Sequence, residues 1–168
     1  ALNDYQMPTL PDSYIEQHPH FQIGGALAAQ QVMQSFFESR GKGYQKGISS
    51  PSLSQTHCSR LSPYLAWGNI SLRDMYQQLL THWQKPGWQR SVSGLSSRLH
   101  WHCHFMQKFE SECTMEFKAL NPGYHAFPYR DDARVTSDIE RWAQGQTGIP
   151  IIDACMRCLK ATGYINFR

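Results

Sequence analysis

Two clusters of histidine and cysteine have the spacing of metal-binding or redox-active side chains. His100 and His104 stand four residues apart, so on a helix they share one face, as zinc-binding histidines do. Cys155 and Cys158 form a Cys-x-x-Cys pair, a spacing typical of zinc ligands and redox thiols. The histidines lack an acidic partner and a third ligand, and no second cysteine pair has matching spacing. We therefore expect packed or solvent-facing histidines, buried thiols and no metal.

A third group combines a cation with aromatic rings. Arg98, Trp101 and Phe105 recur at positions i, i+3 and i+7, so they line one face of a helix. A separate apolar stripe, predicted to be buried, contains Leu95, Leu99, Met106 and Phe109. An arginine can bind phosphate or stack on a base, but it cannot relay a proton as a carboxyl group can. Trp101 could equally be a buried core aromatic, and the pattern leaves both interpretations open.

The composition allows a packed core and excludes several classes of protein. The chain has 168 residues, of which 40% are apolar, with eight Phe, eight Tyr and five Trp, so intrinsic disorder is excluded. No apolar run approaches the roughly 20 residues that cross a bilayer, and no secretory signal is visible. Five scattered cysteines favour a reducing compartment, and we expect a cytoplasmic protein. A net charge of +3 permits an anionic partner without demonstrating one.

Helical periodicity dominates the chain, and no strand pattern competes with it. We therefore predict an all-α fold. The predicted helices follow Gly24-Gly25 as far as Gly41, run from Ser62-Pro63 to Gly68, begin after the capping Ser71, and cover 95–110, 137–144 and 150–162. We predict an extended arm or linker over residues 1–23. Residues 44–58 are expected to be a long functional or mobile loop, and 83–93 a shorter one.

Two ordered sets of residues resemble the helical FAD-binding domain of the cryptochrome/DNA photolyase family. The first set contains Tyr44, Cys58-Ser59-Arg60-Leu61-Ser62-Pro63-Tyr64-Leu65 and Gly68-Asn69-Ile70-Ser71. The second contains Trp142-x-x-Gly145-x-Thr147-Gly148-x-Pro150-x-x-Asp153-Ala154-x-Met156-Arg157 and Thr162-Gly163-Tyr164. The resemblance implies that residues 24–168 are part of such a domain, incomplete at the C-terminus, with 1–23 as the linker that precedes it.

The resemblance also implies a set of FAD-binding residues: Tyr44, Ser59, Arg60, Leu61, Ser62 and Arg98. Pyrophosphate oxygens need hydroxyls, main-chain N–H groups and cations, and the two serines beside a helix start supply these in one short span. An ordinary Ser-Pro helix cap is the alternative interpretation. Cys58 stands where the family usually has threonine, so one expected phosphate hydroxyl is absent.

For DNA, the resemblance implies that Trp101 stacks on a lesion, with Arg98 and His102 beside it. Arg98 replaces the glutamate of cyclobutane-dimer photolyases, Asp132 replaces a surface tryptophan, and Asn166 replaces a histidine. We therefore expect no catalytic residue in this part of the domain.

The implied function is light-driven electron transfer from reduced FAD to pyrimidine dimers in DNA. The alternatives are a cryptochrome-type photoreceptor that repairs nothing and a flavin-free helical nucleic-acid binder. We expect the chain alone to be inactive as a lyase, to bind FAD weakly or not at all, to expose apolar surface and to self-associate.

Overall fold

The chain is helical. The computed structural model describes residues 9, 11 and 19–166, and these residues contain no strand, which confirms the predicted all-α class. Most of the predicted 1–23 linker lies outside the described residues. The α-helices are α1 Ala26–Glu38, α2 Tyr44–Gly47, α3 Pro51–His57, α4 Ser62–Ala66, α5 Leu72–Thr81, α6 Gln89–Ser111, α7 Val135–Ala143 and α8 Pro150–Thr162. Short 3-10 helices cover Arg40–Gly43, Cys113–Glu116 and Pro122–Tyr124.

Residues 44–58 are not the long loop that the sequence predicts, because they contain α2 and α3. Ser50 caps α3, its hydroxyl accepting a hydrogen bond from the main-chain N–H of Leu53 at 3.4 Å, and Pro51 follows as the first helical residue. A short helix without an apolar stripe leaves no periodic signal. The predicted loop at 83–93 is also too long, since α6 begins at Gln89.

The described residues form two units. The larger contains 23–135 and 166, and the smaller contains 19–22 and 136–165. In the larger unit, α1, α2, α5 and the first half of α6 surround an aromatic cluster in which the ring of Phe36 meets those of Tyr44 and Trp88 edge to face, at 5.7 and 6.4 Å. The largest fully buried side chains of this core are Phe36, Leu61, Met75, Leu79, Val92 and Leu95.

The start of α6 packs by small polar residues, which is why apolar periodicity misses it. Ser91 and Ser96 are buried, and the hydroxyl of Ser91 donates a hydrogen bond to the carbonyl oxygen of Lys42 at 2.9 Å. The second half of α6 lies outside the core. Met106 and Phe109, which the sequence places on the buried stripe with Leu95 and Leu99, are 56% and 45% exposed. That part of the prediction is wrong.

In the smaller unit, a tight turn connects α7 to α8. This turn explains the spacing of the second set of family-like residues, which begins at Trp142. The carboxylate of Asp153 accepts hydrogen bonds from the hydroxyl and the N–H of Thr147, at 2.6 and 2.7 Å, and from the N–H of Gly148 at 2.9 Å. Gly145 has φ 67°, and a Cβ there would lie 2.8 Å from the carbonyl oxygen of Asp153. The predicted helices over 137–144 and 150–162 are confirmed.

Within the described residues, no helix has both the length and the apolar character needed to cross a membrane.

Candidate functional site

The segment Ser59–Ser62 connects α3 to α4 and holds most of the predicted phosphate-binding residues. Arg60 has φ 62°, a left-handed conformation that costs a residue with a Cβ about 1 kcal/mol. Leu61 is fully buried, whereas Ser62, the first residue of α4, is exposed. The hydroxyl of Ser59 accepts a weak hydrogen bond from the N–H of Leu61 at 3.5 Å. A buried leucine therefore anchors a turn that carries two serine hydroxyls and a guanidinium.

Arg40 fixes this segment against α1, and sequence reasoning missed it. Its Nη1 donates to the carbonyl oxygen of Cys58, and its Nη2 donates to that of Ser59 at 2.8 Å. The same Nη2 donates to the carbonyl oxygen of Val32 at 3.0 Å, and Nε donates to the hydroxyl of Ser35 at 3.0 Å. One guanidinium thus ties the entrance of the Ser59–Ser62 segment to the middle of α1. The only sequence signal is a cation four residues before Tyr44.

Tyr44 begins α2 rather than lying on a loop. Its side chain is only 5% exposed, and its ring packs edge to face against Phe36. A Cβ added at Gly94 of α6 would lie 3.6 Å from Cε1 of Tyr44, so the ring is held between two helices. Tyr44, which the sequence predicts to contact FAD, therefore has a side chain fixed in the core.

Cys58, which stands where the family usually has threonine, is buried. Its thiol lies 3.8 Å from Oδ1 of Asn166, whose amide nitrogen donates to the carbonyl oxygen of Ile48 at 3.0 Å. Burial raises the pKa of the Cys58 thiol, although the positive charges of Arg40 and Arg60 act in the opposite direction. The residue therefore behaves as a neutral packing thiol. The side-chain amide of Asn166, the last described residue, thus contacts both Cys58 and Ile48.

The predicted lesion-binding residues lie on α6, where that helix leaves the core. Trp101 is 49% exposed, so the alternative that it is a buried core aromatic is wrong. Its ring contacts that of Phe105, with centroids 5.6 Å apart and planes inclined at 50°. Arg98 is half-buried on the same face. His102 is also half-buried, and its Nδ1 is a buried atom without a hydrogen-bond partner among the described residues.

The two clusters with metal-like spacing serve local packing. Nδ1 of His100 lies 2.8 Å from the carbonyl oxygen of Ser96, one turn earlier in α6. No group of three histidine, cysteine or acidic side chains within the described ranges converges on a metal position. Cys155 and Cys158 form no disulfide, and both are half-buried rather than buried as expected.

Comparison with known proteins identifies the architecture. The family described as the FAD binding domain of DNA photolyase matches residues 95–168. Over 115 residues, 66% of this chain, the sequence is 34% identical to a deoxyribodipyrimidine photo-lyase of Thermus thermophilus. Over 150 residues, 86% of this chain, it is 31% identical to a cryptochrome DASH of Synechocystis. The chain belongs to the DNA photolyase/cryptochrome family.

Solved structures of the family extend the match to the Ser59–Ser62 segment, which precedes residue 95. The structure of a bacterial class III photolyase from Agrobacterium tumefaciens superimposes on 95% of this chain with a TM-score of 0.81 at 26% identity. A cryptochrome of Synechocystis superimposes on 98% of it with a TM-score of 0.82 at 27% identity. The chain spans 32% and 35% of those two proteins, and 24% and 29% of the two relatives named above.

FAD is the cofactor of the matched family domain, as the sequence predicts. The residues present fit part of such a dinucleotide. The Ser59–Ser62 segment carries two hydroxyls, and its main chain is held by Arg40 rather than by its own helix. The fields of Arg40 and Arg60 both reach the Cys58 thiol, so the segment lies in a positive potential that favours an anion.

Proposed function

We propose that this chain forms part of the FAD-binding domain of a light-driven DNA photolyase, and that its Ser59–Ser62 segment holds the pyrophosphate of FAD. The observation that carries the proposal is the double hydrogen bond from Arg40 to the carbonyl oxygens of Cys58 and Ser59. It fixes the main chain at Cys58 and Ser59 before any ligand binds, so less conformational entropy remains to be lost on binding. We propose a cytoplasmic location, consistent with five free cysteines.

Hydroxyls and guanidinium groups, not a helix dipole, provide the attraction in this proposal. α4 has five residues, too few to sum a useful macrodipole at its start. Arg60 adds a charge next to both serines, and its left-handed backbone sets the direction in which that side chain leaves the turn. Tyr44 and Leu61 support the segment from the core side, and Arg98 belongs to the same predicted set.

On the DNA side, Trp101 offers an indole face to a base taken out of the helical stack. Arg98, one turn earlier on that face, can donate to phosphate oxygens. His102 has a buried nitrogen available for a further hydrogen bond. When reduced and bound, FAD supplies the light-driven electron that opens a pyrimidine dimer, and the side chains named here bind, orient and exclude water.

The FAD site can be tested on this chain by titrating FAD fluorescence. We expect weak binding, seen as quenching that saturates only at high FAD concentration, and we expect Ser59→Ala and Ser62→Ala each to weaken it about tenfold, equivalent to about 1.4 kcal/mol for one lost hydrogen bond to phosphate. The matched control is Ser111→Ala, an exposed serine at the end of α6. Equal FAD affinity of the wild-type chain and of the double variant Ser59→Ala/Ser62→Ala would refute this assignment.

The DNA-facing role is tested by the anisotropy of a labelled oligonucleotide with or without one thymine dimer. A photolyase-type site binds the damaged strand more tightly, and Trp101→Ala removes that preference. The control is Trp67→Ala, because Trp67 is 84% exposed and lies elsewhere in the larger unit. Equal affinity for both oligonucleotides would instead support the cryptochrome-type photoreceptor. Arg98 favours that alternative, since it stands where a dimer-binding carboxyl group is expected.

We also propose that the chain self-associates through the second half of α6. Trp101, Phe105, Met106 and Phe109 are each about half exposed on neighbouring turns of this helix. Sedimentation velocity should show a concentration-dependent shift to larger species, and Phe105→Ser with Phe109→Ser should reduce it. A wild-type chain that stays monomeric over a hundredfold increase in concentration would contradict the proposal.

A further inference from the structure

The larger unit contains a second concave site that the flavin assignment does not use. A cavity of about 610 Å³ opens between α1, α5 and the segment that joins α5 to α6. Its volume is within the range of about 300–1,000 Å³ that small-molecule sites occupy. The side chains that matter most to its chemistry are Phe37, Glu38, Lys42, His82, Lys85 and Trp88.

This cavity lies on the side of α1 away from the contacts of Arg40. Gln30, Met33 and Phe37 line it, whereas Arg40 binds to Val32 and Ser35. At about 100° per residue, the side chain of Ser35 points away from the side of α1 that carries Gln30, Met33 and Phe37. The cavity is therefore separate from the Ser59–Ser62 segment, and a ligand can bind in it whether or not FAD is bound at the proposed flavin site.

One wall of the cavity is a rigid aromatic cluster. The ring centroid of His82 lies 5.0 Å from that of Phe37 and 4.8 Å from that of Trp88. These three side chains are 5%, 7% and 3% exposed for Phe37, His82 and Trp88 respectively. Their packing fixes the wall without a ligand, so the site is preorganised.

His82 also fixes the direction of a lysine. Its Nδ1 lies 3.0 Å from the carbonyl oxygen of Gln78, which only accepts, and 2.9 Å from the hydroxyl of Thr81. These contacts fit the tautomer with its proton on Nδ1, in which Nε2 is an acceptor. The ammonium group of Lys85 donates to this Nε2 at 2.7 Å. His82 thus holds the ammonium group of Lys85 at the wall, and two N–H groups of that lysine can donate to another partner.

The cavity has an excess of positive charge. Neither Lys85 nor Lys42 forms an ion pair within the part of the chain that the structure describes. The carboxylate of Glu38, the acidic group in the lining, accepts a hydrogen bond from the side-chain amide of Gln34 at 2.6 Å. Two ammonium groups that line one cavity, one of them held in place, favour a phosphate group.

We propose that this cavity binds a mononucleotide, a planar base linked to one phosphate. The phosphate lies between Lys42 and Lys85, and the base lies on the apolar side formed by Met33 and Phe37. The side-chain amides of Gln30 and Gln78 can donate to and accept from the edge of the base. The apolar contact explains why a nucleotide fits better than phosphate alone, and the lysines explain why it fits better than a nucleoside.

The test is calorimetric titration of the chain with AMP, adenosine and inorganic phosphate. We expect AMP to bind at least tenfold more tightly than either fragment, and Lys42→Met and Lys85→Met each to weaken AMP at least tenfold. Lys85→Gln separates charge from folding, because an amide can still donate to His82 and yet should weaken AMP as much. Lys46→Met is the control, since Lys46 is exposed on α2.

Three results would overturn the proposal. The first is no heat of binding at 5 mM AMP. This concentration is high enough to detect a Kd of about 1 mM, equivalent to a binding free energy of about 4 kcal/mol. The second is equal affinity for AMP and adenosine, which would show that Lys42 and Lys85 do not bind the phosphate. The third is loss of AMP binding in Ser62→Ala with retention in Lys85→Met, which would place the nucleotide on the flavin segment.

Discussion

Replacing Arg40 by methionine should loosen the Ser59–Ser62 segment while keeping most of the side-chain volume. A hydrogen bond from a charged donor contributes about 1.5–3 kcal/mol, and the lower value applies because Arg40 is half-buried. Two such bonds hold the segment, to the carbonyl oxygens of Cys58 and Ser59, so the expected loss is about 3 kcal/mol. For a chain of this size, that lowers the midpoint of thermal unfolding by about 6–12 °C.

The assay combines thermal unfolding with FAD titration. Arg40→Met should weaken FAD at least tenfold, and Arg40→Lys should recover about half of the lost stability, because one ammonium can reach only one of the two carbonyl oxygens at a time. Arg90→Met is the matched control. Arg90 is an exposed arginine in the first turn of α6, and its replacement should change neither quantity.

A third measurement separates the position of the segment from FAD binding. The thiol of Cys58 is buried beneath the carbonyl group that Arg40 holds, so Arg40→Met should speed its reaction with a thiol reagent under native conditions. The reasoning is refuted if Arg40→Met shifts the midpoint by less than about 2 °C, well below the expected change, and leaves both FAD affinity and thiol labelling equal to those of Arg90→Met.

Three further outcomes follow from the structure. Gly41→Ala should destabilise the larger unit by about 1–3 kcal/mol, because a Cβ there would lie 2.7 Å from a carbonyl oxygen and 2.8 Å from an indole carbon; Gly24→Ala, with no atom within 4 Å, is the control in urea unfolding. Hydrogen bonds from a threonine hydroxyl and two main-chain amides lower the pKa of Asp153, so its stabilising contribution is present above about pH 4 and is lost as the pH falls through the folded-state pKa. Asp153→Asn should therefore flatten the dependence of the urea midpoint on pH, and an unchanged slope would contradict this. Because burial raises the pKa of Cys58, a thiol reagent should label it at least tenfold more slowly than the exposed Cys113, and equal rates would exclude a buried thiol.

Where helices bury a regular apolar stripe, the sequence predicts them well. The helix predicted after Gly24-Gly25 is α1, which buries Ala29, Phe36 and Phe37. The predicted Ser71 cap of α5 is also present, since the hydroxyl of Ser71 accepts from the N–H of Asp74 at 3.0 Å. Prediction fails where packing uses small polar groups, as at Ser91, because a buried serine carries no hydrophobic signal. It also fails for Met106 and Phe109, since periodicity describes one face of a helix but not whether that face meets a core.

In the candidate site, too, the sequence predicts some residues and misses others. Resemblance to a family locates Ser59 and Ser62, because these side chains carry the recognisable chemistry. It does not locate Arg40, whose partners are main-chain carbonyl oxygens 18 and 19 residues away. Every residue has a carbonyl group, so a guanidinium that binds to the main chain leaves no trace in its partners' residue types. Such positioning residues become visible only when the fold brings the two segments together.

The short helix Arg40–Gly43 connects the two sites proposed here. Arg40 reaches the Ser59–Ser62 segment, Gly41 is wedged against Phe36 and Trp88, and Lys42 lines the second cavity while its carbonyl oxygen accepts from α6. We therefore expect a ligand that binds to Lys42 to restrict the short helix whose first residue, Arg40, holds the flavin segment. Because coupling between two binding equilibria is reciprocal, AMP should strengthen FAD binding by the factor by which FAD strengthens AMP binding. Gly41→Ala, which displaces this helix as a whole, should weaken both ligands together, whereas Lys85→Met should weaken AMP alone.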